Sequence, residues 1–215
     1  MSTDLVRVAD SVWVWPSHPD PARVQAAVGI VTGNDGSVIV DAGHGPGLAR
    51  RIMSAMDHHG LPPARLLTYT HHHWDHTWGA CAWDVPVVAH ELCGALLAGE
   101  AAKPWSQEFL RAEMDRDPLL RPSFQARAQA VPDFAGWHLV LPEQTFATEL
   151  TLEIGDIRLE LEHVGGLHSP DSTIIRSPTG GVVFLGDCYY PPPYHLRSPD
   201  DRPDLDLLAS LITDD

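Results

Sequence analysis

The segment Thr70-His71-His72-His73-Trp74-Asp75-His76 is the densest run of metal-ligating side chains in this 215-residue chain. Two histidines two positions apart, at the end of an extended strand, can turn toward one cation. An aspartate and a histidine just beyond, where the chain turns, can serve a second cation close by. Imidazole nitrogen and carboxylate oxygen together suit Zn²⁺, and also Fe or Mn, better than Ca²⁺ or Mg²⁺. One register fits: His71, His73, Asp75 and His76. Starting instead from His72 would place Trp74 where a ligand belongs. The competing reading is an incidental histidine-rich surface tract. The acid at ligand spacing and the buried strand that precedes the tract argue against it.

Such a cluster needs a rigid strand to deliver it, and Arg65 to Thr70 reads as that strand. Before it, Val12–Trp15 and Ala26–Thr32 read as strands, rich in β-branched and aromatic residues. Asn34-Asp35-Gly36 is a turn, and Val38-Ile39-Val40 is a strand ending at Asp41-Ala42-Gly43. Leu48, Ile52, Ala55 and Met56 recur at helical spacing, which predicts a helix over 46–59, stopped by Gly60-Leu-Pro-Pro63. A short strand at Val85–Ala89 and a helix from Glu91 follow the histidines. Residues 100–131 read as a helical insertion, rich in Ala, Arg, Glu and Gln, lying over the site or at its edge. Strands are expected at 137–141, 145–152, 156–164, Ser172–Ser177 and Gly181–Leu185. A proline-rich loop (Pro191–Pro193) and a short helix near 204–212 close the chain. Two successive rounds of strands and helices predict a layered α/β architecture, and the length suits a single domain over 1–215.

The chain carries 14 basic and 29 acidic residues, a net charge of −15. A nucleic-acid backbone would meet net repulsion, so the expected partner is a small molecule. Arg111, Arg116, Arg121 and Arg127 recur in the insertion among acidic residues and read as a solvated helical surface. No apolar run approaches the ~18 residues needed to cross a bilayer, and the N-terminus does not look like a secretory signal. Cys81, Cys93 and Cys188 are odd in number and lack CxxC spacing, as expected of a reducing compartment. A cytoplasmic location is the expectation from these features.

The segment 71–76 resembles the HxHxDH signature of the metallo-β-lactamase superfamily, and the resemblance runs in order from about residue 10 to residue 190. Val38-Ile-Val-Asp41-Ala-Gly43 is similar to the strand and turn that precede that signature. Val164-Gly-Gly-Leu-His168-Ser-Pro-Asp-Ser172 is similar to the later loop that supplies another histidine, and Val183-Phe-Leu-Gly-Asp187 to the strand ending in a metal-bridging aspartate. The resemblance implies a four-layer αββα sandwich. It implies one or two Zn²⁺ per chain, with iron or manganese as alternatives. His71, His73 and His168 would hold the first metal, and Asp75 and His76 the second, with Asp187 bridging. Asp41 would steady the ligand loop by hydrogen bonding, or serve as a turn acid. The family's further histidine, after another helix and strand, has no counterpart. His195 in the proline-rich loop is a poor match, which reads as truncation of a longer chain.

The implied chemistry is hydrolysis of a small ester, thioester or lactone by a metal-bound hydroxide, because Zn²⁺ lowers the pKa of its water to about 7. Asp75 would orient the nucleophile and shuttle a proton. Tyr190 is similar in spacing to a tyrosine that contacts the substrate oxygen in lactone-cleaving members, or it is a loop aromatic on the site wall. Trp74, Trp78 and Trp105 either line an apolar pocket or pack the core. A mononuclear iron sulfur dioxygenase and an inactive metal-binding remnant are the alternatives.

Overall fold

The computed structural model describes residues 4–20 and 23–211. The strands β1 (Val6–Ala9), β2 (Val12–Trp15), β3 (Val28–Thr32), β4 (Ser37–Val40), β5 (Ala64–Thr68), β6 (Val87–His90) and β7 (Gln144–Phe146) form one sheet in chain order. It is antiparallel from β1 to β4 and parallel from β4 to β7. A second, antiparallel sheet runs β11 (Val182–Phe184), β10 (Thr173–Ser177), β9 (Ile157–His163), β8 (Glu149–Ile154). The helices are α1 (Pro46–His58), α2 (Trp74–Thr77), α3 (Glu91–Ala101), α4 (Gln107–Arg116), α5 (Arg121–Ala130) and α6 (Leu205–Leu211).

Side-chain alternation along the strands builds the layers. In β4, Ile39 points toward α1, where it joins Leu48, Ala49, Ile52 and Met56 in a buried cluster. Its neighbours Val38 and Val40 point the other way, onto Leu159, Leu161 and Ile175 of the second sheet. β9 shows the same period, with Ile157, Leu159 and Leu161 buried and Arg158 and Glu162 exposed. The outer face of the second sheet is covered by α6, through Ile174, Cys188 and Leu211. Helix, sheet, sheet, helix is the αββα order expected from the sequence. Each fully buried aliphatic side chain in these interfaces contributes about 1.5–3 kcal/mol.

Local chemistry explains the helix starts. Pro46 opens α1, where its missing N–H is no loss. The Ser106 hydroxyl caps α4 by accepting from the Phe109 N–H at 3.0 Å. Among the described residues no helix is long and apolar enough to cross a membrane.

Two expectations fail, and one strand has none. Residues 137–141 form no strand: the Trp137 indole donates to the Trp78 carbonyl, and the Tyr69 hydroxyl donates to the Val140 carbonyl. Tertiary contacts there take the groups a ladder would need. The strand expected at 145–152 is two strands in different sheets, β7 and β8, because the chain crosses between the layers at Ala147–Thr148. β1 pairs with β2 at the sheet edge and has no counterpart in the sequence reading. The helix expected to end at 212 is described as far as Leu211, and Ile212 lies outside the described residues.

Candidate metal centre

The parallel strands β4, β5 and β6 end on one side of the first sheet, and the histidine segment leaves the end of β5 there. Open α/β sheets bind ligands at such carboxyl ends. The loop after β9 supplies His168 and the turn after β11 supplies Asp187, so the second sheet reaches the same place. His71 Nε2 lies 3.0 Å from His73 Nδ1, which lies 3.0 Å from His168 Nε2. His71, His76 and Asp187 make a second convergent group. Asp75 stands beside that group, its Oδ2 3.7 Å from His76 Nε2, as is Asp187 Oδ2. All six residues expected as ligands are thus gathered at one point.

The groups behind the imidazoles fix which nitrogens face inward. The Asp41 carboxylate accepts from the Thr70 N–H and the Thr70 hydroxyl, each at 2.8 Å, and from His76 Nδ1 at 2.7 Å. With its hydroxyl proton committed to Asp41, Thr70 Oγ1 accepts from His71 Nδ1 at 3.1 Å. The Pro191 carbonyl can only accept, so His168 Nδ1 is the donor across their 3.0 Å contact. In all three residues the Nδ1 proton points outward, and Nε2 is the nitrogen that faces the cluster. Such outer hydrogen bonds orient metal-ligating histidines. His76 Nε2 is buried without a hydrogen-bond partner.

Electrostatics keep His71 and His73 available as donors and favour a proton on His76. Burial holds His71 well below the ordinary histidine range, helped by the surrounding imidazoles. Burial takes His73 down to about 2, with His72 and His168 adding to it. His76 differs: burial would lower it, but Asp41, Asp75 and Asp187 outweigh burial and raise it. Burial and Asp187 push Asp75 up, against the pull of His76. Burial opposes ionisation of Asp187 as well, but His76 and His168 hold it below the usual carboxylate range. His71 and His73, held neutral, beside an ionised Asp187 form a donor set for a borderline-soft cation. A cation there would displace the proton that the carboxylates favour on His76. Nitrogens around tetrahedral Zn²⁺ stand about 3.3 Å apart, given Zn–N bonds of ~2.0–2.1 Å, close to the observed spacing. The residues fit the ion.

His72, out of register in the sequence, turns away. Its N–H donates to Asp171 Oδ2 at 2.8 Å and its Nδ1 lies 3.0 Å from Oδ1. The Ser169 hydroxyl also donates to Asp171. Burial would raise Asp171, but the His72 and Ser169 hydrogen bonds bring it to about 2. Asp171 therefore clamps the β5 end to the His168 loop. Sequence reasoning missed this residue, although its loop had been singled out.

Tyr190 is exposed, with its ring 6.3 Å from that of His168 and stacked on Tyr189 at 4.6 Å. Trp74 and Trp78 are buried and pack edge to face at 5.6 Å. Trp105 meets Trp78 at 4.9 Å. The reading of Arg127 as solvated surface is overturned: its guanidinium lies 4.7–5.7 Å from the rings of Phe124, Trp74, Trp105 and Trp78.

A family model described as the metallo-beta-lactamase superfamily matches residues 21–212. No curated protein matches the sequence. Among solved structures, a metallo-beta-lactamase from Pontibacter korlensis is similar, with TM-score 0.57 and 22% identity over 86% of this chain and 71% of that one. Another from Hirschia baltica gives TM-score 0.58 and 18% identity, with the same two coverages. A subclass B3 metallo-beta-lactamase of Bradyrhizobium japonicum gives 0.55 and 17%, over 81% of this chain and 56% of that one. At these identities the likeness is one of fold.

Proposed function

This chain belongs to the metallo-beta-lactamase superfamily, and on that premise we propose that it is a zinc hydrolase of small esters, thioesters or lactones. The observation that carries the reading is the inward Nε2 of His71, His76 and His168, each set by an acceptor behind its own Nδ1. Such preparation has no use in a histidine tract that merely faces solvent.

His71, His73 and His168 are assigned to one metal, Asp75 and His76 to a second, and Asp187 lies between them, 3.3 Å from His168 and 3.7 Å from His76. Bound zinc supplies a Lewis acid and a water that ionises near neutral pH. Asp75 faces the same space as His76, where its carboxylate can orient water and accept its proton. Its raised pKa suits it to returning that proton to a leaving group. Tyr190, whose ring lies 6.3 Å from that of His168, is assigned here as the donor to a substrate oxygen.

Elemental analysis of the purified chain, followed by a panel of ester, thioester, lactone and lactam substrates, tests the proposal. Zinc at one or two equivalents with turnover of an ester, thioester or lactone is expected. Full zinc loading with no turnover on the panel would defeat it. Iron with oxygen uptake would point to the sulfur dioxygenase instead.

A further inference from the structure

Arg127 of α5 is a cation that the protein leaves unspent. Its Nε is closed to solvent and has no hydrogen-bond partner. Among the described residues the guanidinium makes no ion pair, although it has five N–H donors. Burial lowers its pKa, and Glu100 and Asp75 only partly restore it. Four aromatic rings around it offset some of the desolvation by cation–π attraction. Rings cannot satisfy directed N–H donors, and a half-buried charge whose Nε is shut off from water without a partner is costly to keep.

Arg127 lines a cavity of about 350 Å³ that is also lined by His73 and His168 of the metal cluster. Lys103 also lines it, but Glu100 pairs that ammonium at 2.6 Å. Arg127 is thus the uncommitted positive charge in a pocket that opens on the metal-site histidines. A planar guanidinium offers a carboxylate two parallel hydrogen bonds, strengthened where water is excluded.

We propose that Arg127 is a specificity-determining residue that binds a substrate carboxylate, so the preferred substrates are small acyl compounds bearing a carboxylate remote from the scissile bond. The substrate half of this inference rests on the hydrolase reading; the carboxylate site does not. The aromatic walls suit a flat or apolar body between the two ends.

Benzoate and benzamide, titrated calorimetrically into the protein as purified, test the site without turnover. Benzoate is expected to bind wild type at least tenfold more tightly than benzamide does, and to lose that advantage in Arg127→Met. Arg127→Lys keeps the charge but not the fork, and should retain only part of the preference; it also serves if Arg127→Met does not fold. Equal affinity for the two probes in wild type would overturn the proposal, as would benzoate binding unchanged by either substitution. With 4-acetoxybenzoate and its methyl ester as substrates, Arg127→Met should raise KM for the acid at least tenfold and leave that of the methyl ester unchanged. No turnover of either compound, with the benzoate preference intact, would count against the hydrolase reading alone.

Discussion

Asp41 holds Thr70 by two hydrogen bonds, one from the backbone N–H and one from the hydroxyl, each 2.8 Å long. The same carboxylate takes the Nδ1 proton of His76. One side chain therefore fixes the residue before His71, the first proposed ligand, and the orientation of His76, the last in the segment. Asp41 does this from a left-handed backbone conformation, φ 63°, which aspartate and asparagine tolerate better than most residues.

Asp41→Asn isolates the carboxylate, because asparagine keeps both the shape and the backbone preference. The amide can accept from one of the present donors but must turn its NH₂ toward another. Zinc affinity, measured by competition with a chromophoric chelator, should fall about 10- to 100-fold, the usual cost of losing an outer hydrogen bond. An unchanged affinity would remove Asp41 from the positioning scheme.

His71→Ala and His72→Ala should separate sharply despite their adjacency. His71 Nε2 faces His73, so its loss should leave less than about a tenth of the wild-type zinc after dialysis. His72 faces Asp171, so its loss should leave zinc content within about twofold of wild type and weaken stability by about 1 kcal/mol. Equal zinc loss in both variants would break the ligand assignment.

These local contacts show what a sequence can and cannot disclose. The spacing of His71, His73, Asp75 and His76 is visible because four residues of ligand type fall within six positions of one strand end. His168 and Asp187 are legible only through their order along the chain and their resemblance to family motifs, since a lone loop histidine or strand-end acid has no local signature. Asp171 stays hidden because its role depends on the His72 backbone, 99 residues away. Arg127 is misread for a similar reason: α5 has mixed charge and weak apolar periodicity, and the rings around it come from α2, the 105 region and α5 itself. The alternation Trp137-His-Leu-Val-Leu141 mimics a strand, yet tertiary hydrogen bonds decide its conformation.

His44 should make stability depend on pH. Burial, with Arg51 and His18 adding repulsion, lowers its pKa from 6.5 to about 4. The unfolded chain therefore takes up this proton before the folded one does, and stability falls as pH drops from about 6.5 to 4. Each unit of depression is worth about 1.4 kcal/mol, so the loss has a ceiling on the order of 3 kcal/mol. His44→Gln has no such proton to take up. Urea midpoints at pH 7.5 and 4.5 should differ less in His44→Gln than in wild type. Equal differences would exclude the effect.

Gly79→Ala should loosen the turn that follows α2. A Cβ there would meet the Ala42 carbonyl oxygen at 2.1 Å, and backbone atoms cannot swing aside as a side chain does. The Gly79 N–H donates to the Gly43 carbonyl at 2.9 Å, and the Ala42 N–H to the His76 carbonyl at 2.6 Å, so these two chain segments move together. A loss of about 1–3 kcal/mol in chemical denaturation is expected, with weaker zinc binding alongside. Wild-type stability would mean that the Asp41–Gly43 turn is more compliant than its hydrogen bonds imply.

The four histidines assigned as ligands do not belong to one layer. His71, His73 and His76 extend from the first sheet, while His168 extends from the second. A cation shared between them would act as a clasp across the interface where Val38, Val40, Leu159 and Ile175 meet. It would close a loop of 97 residues (168 − 71), removing much of the freedom the two halves would have when parted. Chelation should then be felt as faster amide exchange in β4 and β9, deep in the apolar seam and away from any ligand. The ion would be a structural fastener as well as a reagent, and the halves of the fold would be joined where the chemistry takes place.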